Sequence, residues 1–147
     1  MVTTSIHKYD WQLRFGWALT GRSHVLITWE CERARATIID AIQGRDARSA
    51  DYLPLIVMTP QHQGTDAVLT RAIATSAGLV AKRSISTLFR DFERYCADQC
   101  AEGRRVMLLI GDAHLLRTPM MRVLHSLSTI VVVDDLALQI VLVVGHE

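Results

Sequence analysis

The chain has 147 residues, half of them hydrophobic and 21% charged, with a net charge of +1. That length suits one domain with a sizeable core, and the balance of apolar to charged residues excludes a disordered chain. Near-neutrality argues against a dominant nucleic-acid footprint, and the longest apolar run, 130–144, is broken by Asp134, Asp135 and Gln139, so no membrane span is expected.

In chain order, residues 10–19 mix Trp11, Leu13, Phe15 and Trp17 with polar residues and suggest a short helix, which Gly21 ends. His24 to Trp29 is β-branched, apolar and short, the pattern of a buried strand. Glu32 to Ile42 carries Ala34, Ile38, Ile39 and Ile42 as an apolar stripe and predicts a helix. After a polar turn at 44–49, Leu53 to Thr59 predicts a second strand, with Pro54 near its start and Pro60 as its stop. Thr65 is placed to cap a helix bearing Val68, Leu69, Ala72, Ile73 and Ala77 and ending near Gly78. Ser84 or Ser86 caps the next helix, striped by Leu88, Phe89, Phe92, Tyr95 and Cys96 and closed by Gly103. Val106 to Ile110 is a third strand. Thr118-Pro119 predicts a helix start with Thr118 as N-cap and proline at the first helical position. Leu138 to Val144 is a fourth strand. Strands alternating with helices imply an α/β fold with a mainly parallel sheet.

The most informative stretch is Arg104 to His114. A charged helix end runs into an apolar strand whose tip, Gly111-Asp112-Ala113-His114, delivers a carboxylate. Residues 101–114, the helix at 115–128 and the run from Asp134-Asp135 through Val143 together resemble the AAA+-type P-loop ATPases of the general-secretion-pathway protein A (ExeA-like) group and their relatives, the transposon target-selection ATPases. The resemblance implies a three-layer P-loop NTPase-like fold without the helical lid. It makes the 106–111 strand a Walker B strand and Leu138–Val143 the sensor strand, and it implies a strand order of 1-4-3-2 for the four expected strands. It also divides the chain into an N-terminal helical arm, 1–23, and a truncated AAA+-like core, 24–147.

The same resemblance makes Asp112 the candidate catalytic residue, in the place of the glutamate that orients the attacking water. Asp112 is one methylene shorter, and a displacement of about 1 Å can cost on the order of 100-fold in rate. Gly111 replaces the carboxylate that positions Mg²⁺. The phosphate loop is expected after the first strand, at Glu32, Arg33, Ala34, Arg35, Ala36 and Thr37. A Walker A loop needs glycines so that backbone N–H groups converge on phosphate, and a lysine to neutralise its charge. Here Trp29 and Ala34 stand at the glycine positions and Arg35 at the lysine. A left-handed backbone costs a non-glycine residue about 1–2 kcal/mol, so the usual nest is disfavoured. Glu30 and Glu32 also repel phosphate. A competing match, Gly16 to Ser23, fits the spacing but precedes a strand where a helix should begin.

Each of these residues also has a plainer reading. Asp112 could cap the following turn, Arg35 could be a solvated helix residue, and His114 a structural residue of the strand tip. Cys96 and Cys100, four apart on one helix, lack the further ligands of a metal site and read as free thiols, and no metal is expected. The third cysteine, Cys31, makes an odd number in a chain whose start shows no signal peptide, so a reduced, cytoplasmic protein is the simplest reading. Lys82-Arg83 and Arg104-Arg105 are short basic pairs, and nucleic acid is not favoured as a partner.

Two functions follow from the resemblance. One is a degenerate ATPase-family domain with weak or absent hydrolysis, holding ATP and Mg²⁺ weakly or not at all, and acting as a scaffold or regulatory protein, through protein partners or as a homo-oligomer. The other is an active ATPase of secretion or DNA transposition completed by a partner subunit. A third reading is a truncated product whose stop at Glu147 would expose the edge of an unfinished sheet and favour oligomerisation or aggregation.

Overall fold

A computed structural model describes residues 2–5, 24–29, 36–40, 52–60, 64–80, 84–132 and 135–145. The expected helix at 10–19, the Gly16–Ser23 match, and residues 30–35 and 41–42 of the expected loop and helix lie outside these residues. Among the described residues there are seven strands: β1 (Val2–Ser5), β2 (Val25–Trp29), β3 (Tyr52–Met58), β4 (Arg105–Gly111), β5 (Val131–Val132), β6 (Asp135–Leu136) and β7 (Leu138–Gly145). Three full helices are α1 (Asp66–Ser76), α2 (Ile85–Ala101) and α3 (Thr118–Leu127), and residues 36–40 are helical as well.

The main sheet has five strands in the order β1-β2-β7-β4-β3. Every neighbouring pair in it is parallel. For the four strands expected from sequence this is the order 1-4-3-2. Val2–Ser5, expected within a helical arm at 1–23, is instead a fifth strand paired beside β2. β5 and β6 form a separate antiparallel pair leading into β7. β7 is interior, between β2 and β4, and the outer strands of this sheet among the described residues are β1 and β3. β3 suits an edge because Pro54 has no N–H to give to a ladder.

β4 shows why the sheet has cover on both sides. Val106 to Ile110 are each at most 1% exposed, and alternate side chains of a strand point to opposite faces. On one face Val106, Leu108 and Ile110 join Leu55, Val57, Leu138 and Ile140 beneath Leu69 and Ile73 of α1, Phe92 of α2, and Met120, Leu124 and Leu127 of α3. On the other face Leu109 pairs in register with Val141, and Val141 with Val25. All three are fully buried. Ile38 of the helical residues 36–40 is buried apart from the first cluster. A parallel sheet buried on both faces gives the α/β architecture expected from the near-continuous apolar strands.

Helix boundaries follow local chemistry. Thr65 accepts the Val68 N–H at 3.2 Å and Ser84 accepts the Thr87 N–H at 3.3 Å, so both expected caps form. α1 and α2 end alike: Leu79 N–H reaches the Ala74 carbonyl and Arg104 N–H the Gln99 carbonyl, each at 2.9 Å. Gly78 and Gly103 stand between at φ of 78° and 81°, which is the left-handed closure glycine favours. The start of α3 differs from expectation. Thr118 is its first helical residue and Arg117 the cap, without a side-chain bond. The Met121 N–H already bonds the Arg117 carbonyl at 2.9 Å, closing the first turn one residue earlier.

His24 fastens three elements. Its Nδ1 accepts the Ile140 N–H at 3.0 Å, just before β7 begins pairing with β2 at Val141. Its Nε2 lies 3.0 Å from the carbonyl of Ser128, the C-cap of α3. A carbonyl only accepts, so Nε2 carries the hydrogen. His24→Ala strands both backbone groups and should lower stability by about 1–3 kcal/mol in urea unfolding. His125→Ala, on the exposed side of α3, should change it by less than about 0.5 kcal/mol.

Candidate functional site

Parallel strands end at one edge. Trp29 is opposite Gly145, and Met58 is opposite Gly111. In open α/β sheets the crevice outside these carboxyl ends is where ligands bind. The site is therefore built from the last residues of β3, β4 and β7 and the turn that follows β4.

At the tip of β4, the Gly111 carbonyl accepts two hydrogen bonds from Thr59, one from its N–H at 2.9 Å and one from its hydroxyl at 2.8 Å. Thr59 is 3% exposed, so a polar side chain is buried there and satisfied by its neighbour's backbone. A Cβ placed on Gly111 would fall against the Sδ of Met58 and lie 2.6 Å from its Cε. Asp112 follows in the left-handed region, at φ 53° and ψ 42°, and is the one non-glycine residue with positive φ among those described. Asp tolerates that region better than most residues because its short polar side chain can bond locally. The Asp112 carbonyl then accepts the Leu115 N–H at 3.0 Å and opens a single 3₁₀ turn, Ala113–Leu115.

His114 lies in that turn. Its Nδ1 accepts the N–H of Gly145, the last residue of β7, at 3.0 Å. The ring thus ties the turn after β4 to the tip of β7, which is the structural role weighed for it from sequence. The structure brings together Met58, Thr59, Gly111, Asp112, His114 and Gly145. Of the residues singled out for a phosphate loop, Ala36 and Thr37 are exposed and begin the helical residues 36–40. Glu32, Arg33, Ala34 and Arg35 lie outside the described residues. Thr59, Met58 and the Gly145 amide were not legible as site residues: Thr59-Pro60 marks only a strand end, and the partners are distant in sequence.

Among the described residues no group of three or more His, Cys, Asp or Glu side chains could hold a metal ion. Cys96 lies in the helical layer, fully buried. Burial, with a smaller contribution from the Glu93 charge, pushes its thiol up to about 12. Burial likewise raises the neighbouring Tyr95 phenol. Tyr95 stacks on Phe92 with ring centroids 6.1 Å apart. Cys100 is half-buried, one turn on. These are packing thiols, as the sequence suggested.

No family model matches the chain, and no curated protein does. Among solved structures it is similar to the ORC2 protein of Aeropyrum pernix, solved in ADPNP–ADP complexes, with a TM-score of 0.58 and 9% identity. The likeness covers 99% of this chain and 43% of that one, so this chain spans under half of its neighbour's length. At such identity it establishes the fold alone, a mainly parallel α/β sheet with flanking helices. No helix among the described residues is long and apolar enough to cross a membrane.

Two outcomes are expected. Asp112→Ala should be less stable than Asp112→Gly by about 1 kcal/mol, since both lack the carboxylate and only glycine suits the left-handed backbone; thermal unfolding of the pair checks this. Cys96, protonated throughout the neutral range, should resist iodoacetamide at pH 8 in the native protein while Cys100 is alkylated faster, as peptide mapping by mass spectrometry would read. Reactivity at Cys96 should rise only as pH approaches its raised pKa or as the protein unfolds.

Proposed function

We propose that this chain is a degenerate AAA+-like domain, related to the general-secretion-pathway protein A group, that has kept the fold and lost most of the hydrolytic chemistry. Its role is then that of a scaffold or regulatory partner in an ATPase assembly, working through protein contacts. The observation that carries this reading is the state of the β4 tip. Gly111 brings no side chain there, and its carbonyl is already engaged twice by Thr59. Asp112 is the carboxylate that remains, in a left-handed turn.

Catalysis of phosphoryl transfer is largely positioning and electrostatic stabilisation, with Mg²⁺ bridging the phosphates and an acidic residue holding it. The described residues of this edge do not fit Mg²⁺: a hard cation wants several oxygen ligands in near-octahedral array, and they offer one carboxylate and a carbonyl already engaged twice by Thr59. No step through the metal follows. What the chain's own residues do is narrower. Thr59 fixes the β4 tip to β3, and His114 fixes the turn after β4 to the tip of β7. Together they hold a rigid crevice wall, with Asp112 between its fixed points.

A second reading is an active ATPase of secretion or transposition, completed by a partner subunit. What favours it is that the A. pernix neighbour was solved with adenine nucleotides. Purified protein separates the two. Calorimetry with ATP and ADP, with and without Mg²⁺, should show weak binding or none and no strengthening by Mg²⁺, and phosphate release should stay at background. Robust turnover abolished by Asp112→Ala would establish the second reading in its place.

A further inference from the structure

We infer that the strand-tip site excludes a divalent cation and that Met58 is the residue that closes the cation's place. This rests on the nucleotide-site geometry of the proposed function and narrows it: any nucleotide held at this edge is held without Mg²⁺.

Gly111 does not owe its presence to backbone freedom. The glycines with left-handed φ among the described residues are Gly78 and Gly103, and neither has any atom within 4 Å of where a Cβ would stand. Gly111 is the reverse case: an ordinary φ, and a crowded Cβ position. The obstacle is one side chain. Met58 Sδ and Cε occupy the position, while the nearest backbone atom, Met58 Cα, is 3.9 Å away. Register places Met58 directly opposite Gly111. The thioether therefore lies over the end of β4, where the side chain of residue 111 would emerge.

The chemistry of that replacement is unfavourable to a hard cation. A thioether is a soft ligand that suits Cu(I), whereas Mg²⁺ and Mn²⁺ take carboxylate, carbonyl and water oxygens. The Gly111 carbonyl has two lone pairs, and Thr59 occupies both. Among the described residues, what remains at the tip is one carboxylate, Asp112, beside an apolar cap. Met58 is 38% exposed, so the cap is a flexible side chain seated at the mouth of the crevice, and glycine at 111 is what lets it seat.

Mn²⁺ alone, titrated without nucleotide, tests this through paramagnetic broadening of the Gly111, Asp112 and Gly145 amide signals. Wild type should show no selective broadening. The Met58→Ala, Gly111→Asp double variant should show it, with Mn²⁺ affinity at least roughly tenfold above that of Gly111→Asp alone, the scale on which a neighbour tunes a metal site. Broadening in wild type, equal affinity in the single and double variants, or no gain in a folded double variant would overturn the inference. A double variant that does not fold leaves the decision to a stability cycle. Gly111→Ala should destabilise the wild type and cost less in a Met58→Ala background; simple additivity would overturn the inference. No nucleotide enters either experiment, so their failure leaves the scaffold reading standing, and strong ATP turnover would sink that reading while leaving the metal result intact.

Discussion

The burial of β4 on both faces is the constraint on which the rest depends. A strand with no solvent face must be flanked in its own plane and covered above and below. Its flanks are β3 and β7, and its cover on one side is the α1–α3 layer. Each of its five central side chains contributes about 1.5–3 kcal/mol when fully buried. A slip of one residue would not expose an alternating set, since both faces are apolar; the register is fixed by its neighbours instead. His24 pins β7 against α3 and the start of β2, and Thr59 pins the end of β3 to that of β4.

The same constraint creates the functional edge. With every described strand of the main sheet parallel, the carboxyl ends meet on one side, and the turn that leaves β4 lies there. Asp112 and His114 are in one such turn. The turn is held at its start by the β4–Thr59 bonds and at its far end by the His114–Gly145 bond. Among the described residues the chemical content of this edge is sparse: one carboxylate, one imidazole engaged by a backbone amide, and a thioether.

How much of this was legible in the sequence varied with distance along the chain. The caps at Thr65 and Ser84 and the closures at Gly78 and Gly103 act within a few residues, and each was readable. The β4 strand was readable from its unbroken apolar run. The strand order came from the family resemblance, since no local pattern dictates which strands pair. β1 was missed because Val2–Ser5 is short and mostly polar, with nothing to distinguish it from a loop until β2 lies alongside. Thr118 looked like a cap because it precedes a proline, but the Arg117 carbonyl closes the first turn before it. The Thr59–Gly111, His24–Ile140 and His114–Gly145 bonds join residues 52, 116 and 31 apart. Such contacts exist only once the sheet has formed. The absence of a carboxylate at 111 was plain in the sequence; that a methionine from another strand covers the gap was not.

The position of β7 has a consequence for how the chain reaches this state. The strand is last in sequence and central in the sheet, with β2 on one side and β4 on the other. Until it arrives, β1–β2 and β3–β4 are two separate pairs with no hydrogen bonds between them. Joining them means inserting residues 138–145 into a gap, pairing β7 with a strand more than 100 residues earlier. Contacts so far apart must pay their chain-closure entropy before any burial is returned, which slows folding. During synthesis the helical layer over β3 and β4 can assemble early, but the half-sheets stay apart and their inner edges open until the final strand closes the interval.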